Sequence, residues 1–189
     1  MRDLSKICNF ETDIEKEDNG YKVVNNFRPV TREVKSWREE LDIAAKNIRE
    51  STDKPLYLCL SGGIDSEVMA RVFLENNIKF EALTMRHDQY SSEYELTYVV
   101  DWCRKYGIKL HTMPLDITDF FCSGIDRCIS SGFIGGTSFS IYTWFMMMKA
   151  IHDMGGSAVM GMGEAVFKNI EGVLNLELLS YRYPTIKYL

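Results

Sequence analysis

The spacing of apolar residues changes repeatedly along this chain, and each change marks an element. Leu56 to Leu60 is an unbroken apolar run, L-Y-L-C-L, with no polar alternation. Such a run predicts a strand covered on both faces, as inside a parallel sheet. The spacing then lengthens at once: Ile64, Val68, Met69, Val72 and Phe73 recur at helical intervals up to Asn76-Asn77. Lys79 to Met85 reads as a second strand, and Arg86, His87, Asp88, Gln89 and Tyr90 as a polar loop. Ser92 and Glu95 form a capping-box pattern ahead of a helix whose apolar face is Leu96, Val99, Val100 and Cys103, with Gly107 as its stop. Ile108 to Leu115 is a third strand. Phe120, Phe121, Ile125 and Cys128 suggest a helix ending near Gly132. Ile141, Trp144, Phe145, Met148 and Ile151 mark another that stops at Gly155-Gly156. Ala158 to Met160 is a fourth strand.

The flanks are less regular. Glu11 to Val24 reads as a hairpin with Asn19-Gly20 at its turn. Val34, Trp37, Leu41, Ala44 and Ile48 repeat at helical spacing behind Thr31 as N-cap, a helix suited to packing over the sheet edge. The tail from Val173 to Leu189, rich in Leu, Tyr and Ile, adds a strand or a pair. Strands alternating with helices predict an α/β fold: an open parallel sheet with helices on both faces and right-handed crossovers. The organisation expected is an N-terminal extension over residues 1–30 and one domain over residues 31–189.

Composition narrows the class. The chain has 189 residues and 46% apolar content, ordinary for a globular domain with a sizeable core. Its net charge of −5 gives no basic footprint, which argues against a nucleic-acid partner. The most apolar helix, Ser138 to Met154, is too short to span a bilayer and carries Lys149, His152 and Asp153. The start, Met-Arg-Asp-Leu, has no apolar signal region. Five cysteines with no C-x-x-C pair read as reduced thiols of a cytoplasmic protein.

The candidate chemistry lies at Ser61, Gly62, Gly63, Ile64, Asp65 and Ser66, between the first strand and its helix. Strand, glycine turn and helix start bring free N–H groups and a positive helix end to one point, which suits an anion. The glycines let the backbone approach phosphate closely, and the serines add hydroxyls. Asp65 would repel a phosphate unless a cation lay between them, so it implies magnesium. No G-x-x-x-x-G-K-[ST] Walker loop occurs.

These six residues resemble the SGGxDS loop of the PP-loop ATP pyrophosphatases, a superfamily that includes asparagine, GMP and NAD synthetases and several tRNA- and deazapurine-modifying enzymes. All six positions match, Ile64 standing at the free one. The resemblance covers about residues 54–170, with its strong motif at the loop. It implies the adenine nucleotide alpha-hydrolase-like (HUP-type) fold with sheet order 3-2-1-4-5. In such sheets the ligand lies beyond the carboxyl ends of the strands, where the order reverses. It also implies that ATP is held by the loop, with adenine against Leu83, Thr84 and Met85 and with Arg86 near the phosphates. After strand four come Gly161, Gly163 and Glu164, with Lys168 one helical turn later. Glu164 is placed like a second acidic motif of asparagine-synthetase-like members, and Lys168 like a lysine contacting pyrophosphate. The implied catalytic residues are Asp65, Glu164 and Lys168, with Asp65 and Glu164 toward magnesium. His87 is a candidate to face the site; His111 and His152 suit structural roles.

The expected activity is that of an ATP-dependent ligase forming AMP and pyrophosphate. It would adenylate a carboxylate or carbonyl oxygen of a small molecule or nucleobase, and a nitrogen nucleophile would then displace AMP. Residue 2 is Arg, so the cysteine nucleophile of a fused glutaminase is missing, and no cysteine follows Cys128. Sulfur transfer to a nucleobase and a non-catalytic adenine-nucleotide-binding module are the alternatives. The thin C-terminal region implies that a homodimer contact or a partner protein completes the site.

Overall fold

Leu56–Cys59 (β3) is buried at every position because it has a neighbouring strand on each side and helices over both faces. The computed structural model describes residues 10–17, 20–27, 33, 35–87, 93–130, 139–161, 164–170 and 173–179. Within them β3 pairs in parallel with Glu81–His87 (β4) on one side and Ser157–Met160 (β6) on the other. Leu110–Leu115 (β5) lies beyond β4, also parallel. The sheet order is β5-β4-β3-β6. Counting these parallel strands in chain order gives 3-2-1-4, the expected order up to its last place. No fifth strand joins this sheet among the described residues. Glu164–Ile170 (β7) instead pairs antiparallel with Val173–Leu179 (β8) as a separate two-stranded sheet.

The alternation of side chains along β3 divides the core. Leu56, Leu58 and Leu60 join Val72 and Phe73 of the helix Ile64–Glu75 (α2) and Val99 and Trp102 of Glu93–Tyr106 (α3). Ala45 of Trp37–Ser51 (α1) packs in the same cluster. Tyr57 and Cys59 point the other way, to Leu83 and to Ile151 of Phe139–Asp153 (α6). The chain between β5 and α6 is helical from Ile117–Asp119 (α4), through a π-turn at Phe120–Gly124, to Ile125–Ser130 (α5). The methionine run bridges two clusters: Met146 packs beside Phe120 and Phe145, Met147 beside Cys59 and Leu83. Unbranched, adaptable side chains suit such a seam.

Several local expectations shift. α1 starts at Trp37, not behind Thr31. Ser36 caps it, and Ser36 and Glu39 form a reciprocal capping box. Thr31, Val34 and Ser92 lie outside the described residues. On α2, Ile64 is 75% and Val68 37% exposed, so the buried face is carried by Ser66, Ala70, Val72 and Phe73 instead. Arg86 and His87 extend β4 rather than starting a loop. Phe10–Glu17 (β1) and Gly20–Phe27 (β2) form the expected hairpin, and the pairing of Glu17 with Gly20 puts Gly20 in the strand. Asn77 and Gly107 both take positive φ just beyond α2 and α3.

At the amino end of β4, His111 Nε2 lies 2.5 Å from Glu81 Oε2, and Lys109 Nζ lies 3.2 Å from the same oxygen. The hydrogen bond with His111, then that of Lys109, holds the Glu81 carboxyl below the ordinary carboxylate range. A depressed carboxylate stabilises the fold above its unfolded pKa, and that contribution disappears as pH falls through the folded pKa. Glu81→Gln is therefore expected to lower urea stability at neutral pH and to lose its difference from wild type in acid. A difference that persists or grows as carboxylates protonate would refute the assignment.

Candidate functional site

The sheet order reverses at β3. The chain leaves it through α2 to β4 on one side, while β6 arrives on the other. The carboxyl ends of β3 and β6 therefore open a crevice at this reversal. The Ser61–Ser66 loop lies at its mouth. Ser66 is buried, and its hydroxyl donates to Gly63 O at 2.8 Å. The Ser61 amide donates to Ser66 Oγ at 3.3 Å, and the Gly63 amide to Ser61 Oγ at 3.2 Å. Ser66 is thus the brace of the loop. Ser61 is exposed; its oxygen is engaged by Gly63, and its hydrogen can turn toward Ser66 Oγ, 3.3 Å away, or toward a ligand.

Gly62 takes φ +87°, and a Cβ there would come 2.8 Å from Glu95 O in the first turn of α3. The glycine therefore serves both the turn and the close seating of α3 on the loop. Gly63 is the N-cap of α2 and supplies no side-chain cap, leaving first-turn N–H groups for a ligand. Asp65 sits exposed in that first turn, with no side-chain hydrogen bond or ion pair among the described residues. Glu67, the other first-turn acid, is turned to α3 instead. Tyr98 Oη donates to it, and Arg71 Nε donates to its Oε1 at 2.6 Å. The Tyr98 bond first, then Arg71, holds its carboxyl below the ordinary range. Of the two, Asp65 remains for ligand or metal. A Cβ on Gly161, just past β6, would lie 3.6 Å from Asp65 O, so the end of β6 borders this turn.

A cavity of about 340 Å³ occupies the crevice. Ser61, Ser66 and Gly161 line its end beside the loop, and Thr84 and Met85 reach the cavity from β4. Leu83 is buried in the core, and its carbonyl accepts from Leu60 N at 2.9 Å, so it supports the cavity from beneath. Arg86 is exposed, engaged by another residue, and not part of the lining. Ile64 points outward. Glu164 and Lys168 lie on strand β7, which corrects the expectation that Lys168 follows one helical turn after Glu164. Their side chains, and residues Met162 and Gly163, lie outside what the structure describes.

Other lining residues include ones the sequence pattern had put elsewhere. Glu95, half of the expected capping box, faces the cavity beside the loop. His87, the candidate to face the site, lines it from the end of β4. Thr143, Trp144 and Met147 line it from α6. Their i, i+1, i+4 spacing marks one stripe of that helix, a signal hidden by the apolar residues around it. Cys59 also lines the cavity, with its thiol pushed up to about 12 by burial, which disfavours the nucleophilic thiolate.

Magnesium fits the exposed donors at the loop. Among the described residues no three His, Cys, Asp or Glu side chains converge on one point. Asp65, a single exposed carboxylate, suits an ion held mainly by phosphate oxygens and water.

No family model matches the chain, and no curated protein matches it. Solved structures do. The NH3-dependent NAD synthetase of Campylobacter jejuni subsp. jejuni is 19% identical, over 65% of this chain and 53% of its own, at a TM-score of 0.44. The glutamine-dependent NAD+ synthetase of Acinetobacter baumannii is 16% identical, over 78% and 29%, at 0.49. The NMN synthetase of Francisella tularensis is 14% identical, over 67% and 54%, at 0.46. These three structural neighbours are NAD and NMN synthetases. The chain spans about half or less of their length. Among the described residues no helix is long and apolar enough to cross a membrane.

Proposed function

We propose that this chain is an ATP pyrophosphatase that adenylates an acceptor oxygen and releases pyrophosphate. The observation that carries the reading is the SGGxDS loop, braced by Ser66 and opening α2 beside a cavity at the sheet's reversal point. With no Walker lysine, the loop offers Ser61, backbone N–H groups and a helix end to the β- and γ-phosphates as one departing unit. Magnesium bound at Asp65 would offset the charge on that unit. Glu164 and Lys168, on β7, are proposed to complete this end. Thr84 and Met85 would hold the adenine side. The acceptor, a carboxylate or carbonyl oxygen, would attack the α-phosphate in line, and a nitrogen nucleophile would then displace AMP.

The cavity is small for a nucleotide and an acceptor together, since ligand pockets run from roughly 300 to 1,000 Å³. A second copy or a partner protein supplying further walls fits that size. Sulfur transfer through a cysteine is disfavoured, because the cavity's Cys59 thiol is pushed up to about 12.

The test is product analysis. The protein is incubated with MgATP, ammonia and a panel of carboxylate and nucleobase acceptors, and the nucleotides are separated. AMP and pyrophosphate are expected; ADP and phosphate as sole products would rule the reading out.

A further inference from the structure

His87 lines the cavity from the end of β4, yet its Nδ1 is buried with no hydrogen-bond partner among the described residues. The ring is set beside Phe139, centroids 5.8 Å apart at 44°. A hydrogen on Nδ1 would be a buried donor without an acceptor, so the favoured tautomer carries it on Nε2. Nε2 is then the imidazole's polar atom for a cavity ligand. Met85, Met147 and Trp144 line the same cavity, and Ser61, Ser66, Thr84 and Glu95 bring polar atoms to it. Thr143 adds little donor capacity, because its hydroxyl donates to Ser140 O at 2.8 Å. A cavity part apolar and part polar, with an imidazole N–H in its wall, suits a heteroaromatic base that presents a ring-nitrogen acceptor.

We propose that His87 is a specificity-determining residue, its Nε2–H donating to N1 of adenine. Guanine carries a hydrogen at N1, so the same donor would meet a donor and reject it. The inference rests on the proposed ATP site and adds to it a side chain that reads the base. Thr84 and Met85, earlier on the same strand, place the base within reach of position 87.

Calorimetric titration of MgATP, MgGTP and magnesium pyrophosphate tests it in the wild type, His87→Leu and His87→Gln. Wild type is expected to prefer ATP to GTP by about tenfold or more, the effect of one buried polar mismatch. His87→Leu should lose about tenfold in ATP affinity and most of the preference, with pyrophosphate binding unchanged. His87→Gln, whose amide can place an N–H near Nε2, should recover most of both. An ATP/GTP ratio unchanged in His87→Leu would overturn the inference while leaving the nucleotide site standing. So would ATP and pyrophosphate affinities falling together, since that reports damage to the loop. Pyrophosphate binding without ATP binding in the wild type would instead strike the proposed function itself, and this inference with it.

Discussion

Gly62→Ala is expected to abolish the stabilisation of this protein by MgATP. Two separate constraints meet at this glycine. Its φ of +87° is one that side chains rarely adopt, and an added Cβ would come 2.8 Å from the Glu95 backbone carbonyl. Neither is relieved by turning a flexible side chain. Holding the strained backbone costs roughly 1–3 kcal/mol, and retreat of α3 would open the wall that Glu95 contributes. Gly63 differs: its φ is −80°, and a Cβ would lie 3.4 Å from Ser61 Oγ. Gly63→Ala should therefore fold normally and weaken binding only by crowding the phosphate approach. In wild type, ATP at a hundredfold excess over Kd should add about 2.7 kcal/mol, a melting shift of roughly 5–10 °C for a domain of this size. Thermal melts with and without MgATP decide the matter. A Gly62→Ala protein whose melting shift equals that of wild type would remove the loop from the binding site.

The strand and the loop were legible in the sequence because each is a local signal with few rivals. Leu56 to Leu60 has no polar residue to set a face, and a run that short between Pro55 and Gly62 fits a strand covered on both sides. The glycine turn is fixed by chemistry that no other residue supplies at φ +87°. The parts that were not legible depend on which surface an element meets. Glu95 fits a capping box, and nothing local indicates that its turn packs on Gly62, some thirty residues earlier. Ile64 and Val68 keep helical spacing, but α2 begins at the mouth of the crevice, where that face meets solvent or ligand. α6 is apolar nearly all round, so the stripe facing the cavity has no polar border to mark it. Glu164 to Ile170 has no clean period of 2 or 3.6, and its pairing with β8 decides the strand.

Asp65→Asn is expected to remove turnover while leaving the fold and much of the nucleotide affinity intact. The side chain is exposed and has no side-chain partner among the described residues, so its charge stabilises little of the surrounding structure. What the fold loses is a favourable acid in the first turn of α2, about 0.3–1 kcal/mol. On the proposed reading the nucleotide would lose a repulsive neighbour as well as a magnesium ligand, so the two effects on binding oppose each other. A departing pyrophosphate would have no such compensation. Its charge grows as the bond breaks, and the loop has no lysine to meet it. Removal of one preorganised charge-stabilising group commonly costs on the order of 10²–10³ in kcat, and loss of a metal ligand at this point should cost at least that. The measurement is AMP release against magnesium concentration, with MgATP binding followed in parallel. Asn at position 65 should lower the rate at every magnesium level and shift the half-saturating concentration upward. Wild-type turnover in the variant would show that the carboxylate takes no part. A parallel collapse of binding and melting temperature would show that it supports the fold instead.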